Sequence, residues 1–145
     1  MRLLAALLLP LALLTASPAL AEDATTRVAI HVDENDPSRM NMALNNAANI
    51  RKHYAEKGEE VAIRVVTYGP GLHMLRADTS PVQDRIAAMM REIPNLSFAA
   101  CGNTHAAMSR KAGSDVVLID EAEMVPSGAV ELIELQKDGW AYLRP

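Results

Sequence analysis

The sequence has a single cysteine, Cys101, among its 145 residues. One thiol excludes an intramolecular disulfide, and it also excludes zinc and iron–sulfur sites that are built from several cysteine ligands. Aromatic residues make up only 3% of the chain, so the protein lacks the stacking platform on which single-stranded nucleic acids bind. The formal net charge of −4 likewise argues against nucleic acid and anionic membranes as partners.

Long apolar runs are absent except at the N-terminus. The first residues, MRLLAALLLPLALLTASPALA, combine a positive charge at Arg2, an apolar run too short to span a bilayer, and a terminal small-x-small motif. This pattern predicts a cleavable signal peptide over residues 1–21 and a mature domain over residues 22–145. We therefore expect a periplasmic or secreted protein with no membrane segment after cleavage.

Short apolar runs and helical repeats alternate along the rest of the chain. Strand patterns, rich in β-branched residues, occupy residues 27–32, 61–68, 96–100 and 140–143. Helix patterns begin near Asp36, Ser80, Asn103 or Thr104, and Ser127, and they end at Gly58, Pro94, Gly113 and Gly139. A fourth strand fits either residues 116–119 or residues 123–125. The alternation predicts a single three-layer α/β domain with a mainly parallel sheet of about five strands and helices on both faces.

Ligands and reactive groups in such sheets gather beyond the carboxyl ends of the strands, where three loops lie in this sequence. The first loop carries Asp33, Glu34 and Asp36, which we interpret as a solvated loop with a helix cap rather than a cation site. The second loop, YGPGLH, lacks the spacing of a nucleotide-binding fingerprint but contains His73. From its position, His73 is either a site residue or a loop histidine bonded to backbone.

The third loop, CGNTH, begins at Cys101. A cysteine between an apolar strand and a helix start faces unpaired backbone N–H groups and the positive end of the helix dipole, and both lower the pKa of a thiol from about 8.5. Gly102 leaves room for an incoming group, and His105 lies one helical turn along, where its imidazole could share a proton with the sulfur. The alternative is an inert, buried side chain, the common fate of a free cysteine.

Eight methionines raise the question of a copper site, because thioethers bind Cu(I). Most of them fall within the predicted helices, where they fill a core, and those near loops form no Met-x-x-Met cluster. We therefore predict no metal site and no cofactor.

With these elements in place, the sequence resembles the DsrE/DsrF-like family, and specifically its exported single-domain branch. The resemblance rests on the stretches ALNNAANIRKHY, VTYGPGLHML, FAACGNTHAAM and MVPSGAVELIELQKDGWAYLRP. It implies an α/β domain that assembles as a trimer or hexamer. It also implies a cysteine after the third strand, here Cys101, that in some members carries sulfur as a persulfide between donor and acceptor proteins.

The resemblance favours an exported sulfur-relay-type protein that carries sulfane sulfur on Cys101, and that is sulfurtransferase-like if it turns over. The alternative is a non-catalytic oligomeric binding or scaffold protein in which Cys101 is buried and inert. A third hypothesis is a small-ligand or metal-binding domain that uses the YGPGLH loop and His73. The roles of His73 and His105 come from spacing, and the family resemblance gives them little independent support.

Overall fold

The structure, a computed structural model, describes residues 26–145, so the predicted signal peptide over residues 1–21 lies outside the described residues. The strands are β1 (Thr26–Val32), β2 (Val61–Thr67), β3 (Leu96–Cys101), β4 (Ala122–Val125) and β5 (Ala141–Leu143). The α-helices are α1 (Pro37–Glu56), α2 (Gln83–Glu92), α3 (Gly102–Ala112) and α4 (Gly128–Lys137), and a 3-10 helix spans Gly69–Leu75. Within the described residues, no helix is both long enough and apolar enough to cross a bilayer.

The five strands form one sheet in the order β4-β3-β2-β1-β5, and every neighbouring pair is parallel. One face packs against α1, α2 and the 3-10 helix, which contribute Leu44, Ile86 and Leu72 to the larger core cluster. The other face packs against α4 through Leu132. The predicted three-layer α/β domain with a parallel five-stranded sheet is therefore confirmed.

Helix α1 begins and ends at the residues that the sequence indicates. Asp36 is the N-cap and accepts a hydrogen bond of 2.8 Å from the Ser38 N–H, while Pro37 occupies the first turn, where its missing N–H costs nothing. Gly58 follows the C-cap with a left-handed φ of 72°. The buried face of α1 comprises Met40, Ala43, Leu44 and Ala47.

The starts of two helices differ from the prediction. Cys101 itself is the N-cap of α3, which begins at Gly102, so Asn103 and Thr104 lie inside the first turn instead of capping it. The Asn103 N–H, which a cap would otherwise satisfy, donates to the Pro126 carbonyl at 3.2 Å. Helix α2 begins at Gln83 instead of at the Ser80-Pro81 pair, because the Ser80 hydroxyl donates to the Met74 carbonyl at 2.6 Å.

The fourth strand lies at Ala122–Val125, so the second of its two candidate positions is correct. Residues 116–119 instead run along the end of the 3-10 helix, where the Ile119 N–H donates to the Leu75 carbonyl at 2.9 Å. Val116 and Ile119 are buried there, which explains a strand-like apolar pattern without a strand. The 3-10 helix over Gly69–Leu75 was not predicted, since its Gly-Pro-Gly start is typical of a turn.

Candidate functional site

Cys101 is the last residue of β3 and lies at the carboxyl edge of the sheet, where it pairs in register with Val125 of β4. Residues two apart in a strand point to the same face, so Cys101 shares a face with Ala99, which packs under α4. The side chain is buried, with 4% of its surface exposed. The sulfur therefore lies in a small space between the edge of the sheet and the start of α4.

Hydrogen-bond donors surround this sulfur. Burial raises the pKa of Cys101, but the Gly128 N–H, the hydroxyl and N–H of Thr104 and the Asn103 N–H lie near the sulfur and favour its charged form. Together they outweigh burial, so the pKa falls below its ordinary value. The Gly128 N–H belongs to the first residue of α4, whereas the Asn103 and Thr104 N–H groups belong to the first turn of α3. Two helix N-termini, each with a partial positive charge, thus lie close to one thiol group.

The Thr104 hydroxyl is oriented by a second contact. The N–H of Gly69, at the start of the 3-10 helix, donates to Thr104 Oγ1 at 2.9 Å. Because that contact uses a lone pair of Oγ1, the hydroxyl proton stays available for the sulfur. Thr104 thereby links the 3-10 helix, α3 and the thiolate of Cys101.

Close packing brings α4 near the sulfur, and it depends on a glycine. A Cβ atom on Gly128 would lie 3.0 Å from Tyr68 Cβ and 3.2 Å from the Thr67 carbonyl oxygen, which is tighter than ordinary contact. Ser127 caps α4 by accepting a 3.5 Å hydrogen bond from the Val130 N–H. The sequence predicts this cap, but it gives no sign that the helix start lies over Cys101.

A second buried polar group lies on the same face and edge, and sequence reasoning missed it. His31 of β1 is 5% exposed, stacks on Tyr68 with ring centroids 4.6 Å apart, and has Nδ1 2.7 Å from the Tyr142 hydroxyl. Its Nε2 is buried without a hydrogen-bond partner among the described residues, and it lies 3.8 Å from an Asp33 carboxylate oxygen. A histidine within the apolar strand RVAIHV is the one signal that could have found it.

The electrostatic surroundings of His31 favour a neutral ring. Burial lowers the pKa of His31, Asp33 raises it, and Arg144 lowers it again, with a net decrease from the ordinary value. Because Nε2 faces the Asp33 carboxylate, we assign the single ring proton to Nε2, so Nδ1 accepts from the Tyr142 hydroxyl.

Tyr68 lies between the two buried groups. It stacks on His31 on one side, and it packs beside Gly128, whose N–H donates to Cys101, on the other. Burial raises the pKa of Tyr68, and Asp33 and the Cys101 thiolate add to the increase. The edge therefore carries a continuous row of four side chains, Cys101, Tyr68, His31 and Tyr142.

The two histidines singled out by spacing lie elsewhere. His105 donates from Nε2 to the Val116 carbonyl at 2.7 Å, and the same atom lies 3.7 Å from the Asp115 carboxylate. His73 contacts the Thr79 hydroxyl at 2.8 Å through Nδ1, and burial lowers its pKa. Neither imidazole hydrogen-bonds to Cys101 within residues 26–145, so the proton-sharing role of His105 and the site role of His73 stay predictions.

The acidic loop after β1 has a cation of its own. Arg144, just beyond β5, lies 3.0 Å from an Asp33 carboxylate oxygen and 3.3 Å from one of Glu34, while Asp36 caps α1 as predicted. In the part of the chain that the structure describes, no group of three or more His, Cys, Asp or Glu side chains is arranged to hold a metal ion.

An open groove lies beside the site, between α3 and the 3-10 helix. Its volume is about 530 Å³, and its walls include Gly69, Pro70 and His73 from the 3-10 helix and Thr104, Met108 and Lys111 from α3. The groove is therefore adjacent to Cys101, since Thr104 contributes both to its wall and to the contacts of the sulfur.

Comparisons with known proteins agree with this architecture. The model of the DsrE/DsrF-like family matches residues 26–145. Among solved structures, MTH1491, a protein of unknown function from Methanobacterium thermoautotrophicum, shares 33% sequence identity with this chain at a TM-score of 0.70. That match covers 83% of this chain and 99% of MTH1491. The comparison with curated proteins gave no match.

Proposed function

The chain belongs to the DsrE/DsrF-like family, and from that premise we propose that it is an exported sulfur-relay-type protein that carries sulfane sulfur as a persulfide on Cys101. The observation that carries the proposal is the convergence of two helix N-termini and the Thr104 hydroxyl on the sulfur. These donors stabilise an anion, and both the attacking thiolate and the resulting persulfide are anions.

Loading follows from thiol–disulfide chemistry. The Cys101 thiolate attacks the outer sulfur of a sulfane donor such as thiosulfate, a new S–S bond forms, and the S–S bond of the donor breaks, so that sulfite leaves with the electron pair. No external oxidant is needed, because the transferred sulfur is already at the sulfane level.

Unloading is the reverse type of step. The thiolate of an acceptor attacks the terminal sulfur of the persulfide, and Cys101 leaves as a thiolate. A lower pKa makes Cys101 a better leaving group, so the same donors that favour loading also favour release. A protein that repeats both steps is sulfurtransferase-like.

Assembly and export are parts of the proposal. Met124 of β4 and Val130 and Ile133 of α4 are large apolar side chains that are about half exposed, which supports a homo-oligomer, a trimer or hexamer as the family resemblance implies. Export rests on the N-terminal sequence pattern of residues 1–21.

The test is intact-mass analysis of the chain after incubation with thiosulfate or polysulfide. We expect a gain of one sulfur atom that a thiol reductant reverses and that is absent from Cys101→Ala, in which no cysteine is left. No adduct on the native chain, with normal labelling of Cys101 in the unfolded chain, would contradict the proposal.

The second candidate is an oligomeric binding or scaffold protein with an inert cysteine. It is favoured by one observation, the 4% exposure of Cys101. In that case the native thiol would react slowly with alkylating agents at every pH, and Cys101→Ala would leave the function of the protein unchanged. Retention of function in that variant would also be expected for a ligand-binding domain built on the YGPGLH loop and His73.

A further inference from the structure

The groove between α3 and the 3-10 helix has the size and charge to bind a small molecule beside Cys101. We propose that it binds the thiol that accepts sulfur from Cys101, and that this acceptor is a small, peptide-like thiol that carries carboxylate groups. The inference rests on the proposed function, because an acceptor is needed only if Cys101 holds transferable sulfur.

One end of the groove lies next to Cys101 at Asn103 and Thr104, although Cys101 itself is not part of the groove wall. Thr104 and Asn103 line the groove, and both are among the groups that favour the charged form of Cys101. The terminal sulfur of a persulfide extends beyond Cys101 by one further S–S bond. The proposal requires that this terminal sulfur meets the acceptor thiol at the Thr104 end of the groove, since Cys101 itself is buried.

The dimensions suit a molecule of a few residues. The volume of about 530 Å³ lies within the range of roughly 300–1,000 Å³ that is usual for small-molecule sites. Thr104 and Lys111 lie seven residues apart on α3, which corresponds to about 10 Å along a helix axis. An extended tripeptide spans about the same distance, roughly 10 Å.

The charge of the lining favours a carboxylate. No Asp or Glu lines the groove within the described residues, although the whole chain carries a net charge of −4. Lys111 is exposed at the far end, and it takes part in none of the ion pairs found within residues 26–145. A carboxylate of the acceptor would therefore find an unpaired cation about 10 Å from the sulfur end.

The wall between these two ends is apolar and uncovered. Pro70, Ala107 and Met108 line it, and no residue of α3 is fully buried, so this face of the helix stays accessible. Such a wall contacts the body of a bound molecule, while the polar groups at the two ends fix its orientation.

The experiment measures discharge of the persulfide-loaded full chain to three thiols under single-turnover conditions. The thiols are glutathione, which is anionic, 2-mercaptoethanol, which is neutral, and cysteamine, which is cationic, with each rate corrected for the thiolate fraction of the thiol. Two variants of the chain are compared. Lys111→Glu reverses the charge in the groove, and Arg110→Glu is the matched control, because Arg110 is exposed on the same helix but does not line the groove.

We expect Lys111→Glu to slow discharge to glutathione by roughly threefold to tenfold. The rate of discharge to 2-mercaptoethanol should stay unchanged, and the rate of discharge to cysteamine should increase. Arg110→Glu should change each rate by less than twofold. Equal effects of the two variants would overturn the inference, since only the overall charge would then matter. Unchanged rates for all three thiols would also overturn it and would leave a protein as the acceptor.

A binding measurement separates failure of this inference from failure of the proposed function. S-methylglutathione has no free thiol, so it can occupy the groove without accepting sulfur. Shifts in the amide NMR signals of Thr104, Ala107 and Lys111 would support the groove even in a chain that forms no persulfide. If the chain forms the persulfide but shows no such shifts at millimolar S-methylglutathione, the proposed function stands and the inference that the groove binds the acceptor is wrong.

Discussion

Two buried titratable groups lie on the same face and edge of this sheet, and their surroundings differ. The sulfur of Cys101 at the end of β3 lies near polar hydrogens of Gly128, Thr104 and Asn103 that favour its charged form. The imidazole of His31 in β1 has one hydrogen bond, to Tyr142, and an Nε2 without a partner among the described residues.

Burial acts in the same sense on both groups, because it disfavours the charged form: it raises the pKa of Cys101 and lowers the pKa of His31. Only at Cys101 do local donors outweigh burial, so the thiol shifts toward its charged form while the imidazole stays neutral. The comparison shows that backbone N–H groups and the Thr104 hydroxyl are the main groups that stabilise the anion at this edge.

The largest expected effect is at Thr104. Without its hydroxyl, the sulfur of Cys101 would have fewer polar groups to offset burial and would in that respect be more like the imidazole of His31. Thr104→Val keeps the shape of the side chain and removes the hydroxyl donor. A hydrogen bond to a charged group contributes about 1.5–3 kcal/mol, so we expect the pKa of Cys101 to rise when the hydroxyl is lost. The measurement is the pH dependence of alkylation by iodoacetamide.

Thr79→Val is the matched control for this change. It removes a threonine hydroxyl that contacts His73 and leaves the contacts of the sulfur intact. An unshifted alkylation profile in Thr104→Val, or an equal shift in the control, would mean that the hydroxyl does not stabilise the thiolate.

The second prediction concerns His31 and the pH dependence of stability. Because the pKa of His31 is lowered in the folded state, the unfolded chain binds a proton near pH 6.5 that the folded chain does not bind. This contribution therefore lowers the free energy of unfolding as pH falls below about 6.5, by at most about 1.4 kcal/mol per pH unit, until the folded pKa is reached.

His31→Phe should remove this part of the pH dependence, as measured by urea unfolding at several pH values. His53→Phe is the control, since His53 is exposed on α1 and has no place in the buried row. If stability depends on pH in His31→Phe as it does in the wild type, the imidazole is not the group responsible.

A smaller effect is expected at Tyr142, which contacts His31 and not the surroundings of Cys101. Tyr142→Phe removes the partner of His31 Nδ1 and leaves a second buried nitrogen unsatisfied, at a cost of about 1 kcal/mol in the free energy of unfolding. The alkylation profile of Cys101 should not move. Tyr54→Phe is the control. Tyr54 lies on α1, so this variant gives the change in the free energy of unfolding when a phenol hydroxyl is lost away from the site.

The smallest expected effect comes from Gly128→Ala, which displaces the start of α4 from the side chains of Tyr68 and Cys101. The added Cβ would lie 3.0 Å from Tyr68 Cβ, so the helix start must shift by a few tenths of an ångström. We expect the pKa of Cys101 to rise, but by less than in Thr104→Val, as the Gly128 N–H moves away from the sulfur.

Gly58→Ala separates this effect from a general loss of stability. Gly58 has a left-handed φ of 72° with no atom within 4 Å of an added Cβ, so its replacement costs about 1 kcal/mol in backbone strain alone. The alkylation profile should stay that of the wild type. A shift of the same size in both glycine variants would contradict a specific role for α4.

The sequence indicates the part of this site that is formed by residues next to Cys101 in the chain. A cysteine at the end of an apolar strand, followed by Gly102 and a helix, places the α3 donors near the sulfur by chain connectivity alone. The α4 donor is not local, because Gly128 comes near the sulfur only when β4 pairs with β3 in the register that sets Val125 beside Cys101.

The His31 contacts were also beyond sequence reasoning. His31 and Tyr142 are 111 residues apart, and they meet only because β5 returns to the edge beside β1 in a particular register. Periodicity predicts that a strand exists near the C-terminus, but it does not say which strand it pairs with. The unpredicted 3-10 helix has the same cause, since its Gly-Pro-Gly start is defined by packing against the end of β1.

The most direct test of the central claim is the pH profile of iodoacetamide alkylation for the native wild-type chain, with the chain unfolded in urea as the reference. We expect the native profile to have its midpoint below the midpoint of the unfolded chain, which should lie near the ordinary thiol value of about 8.5. A native midpoint at or above that of the unfolded chain would show that burial outweighs the donors, and Cys101 would not be a stabilised thiolate.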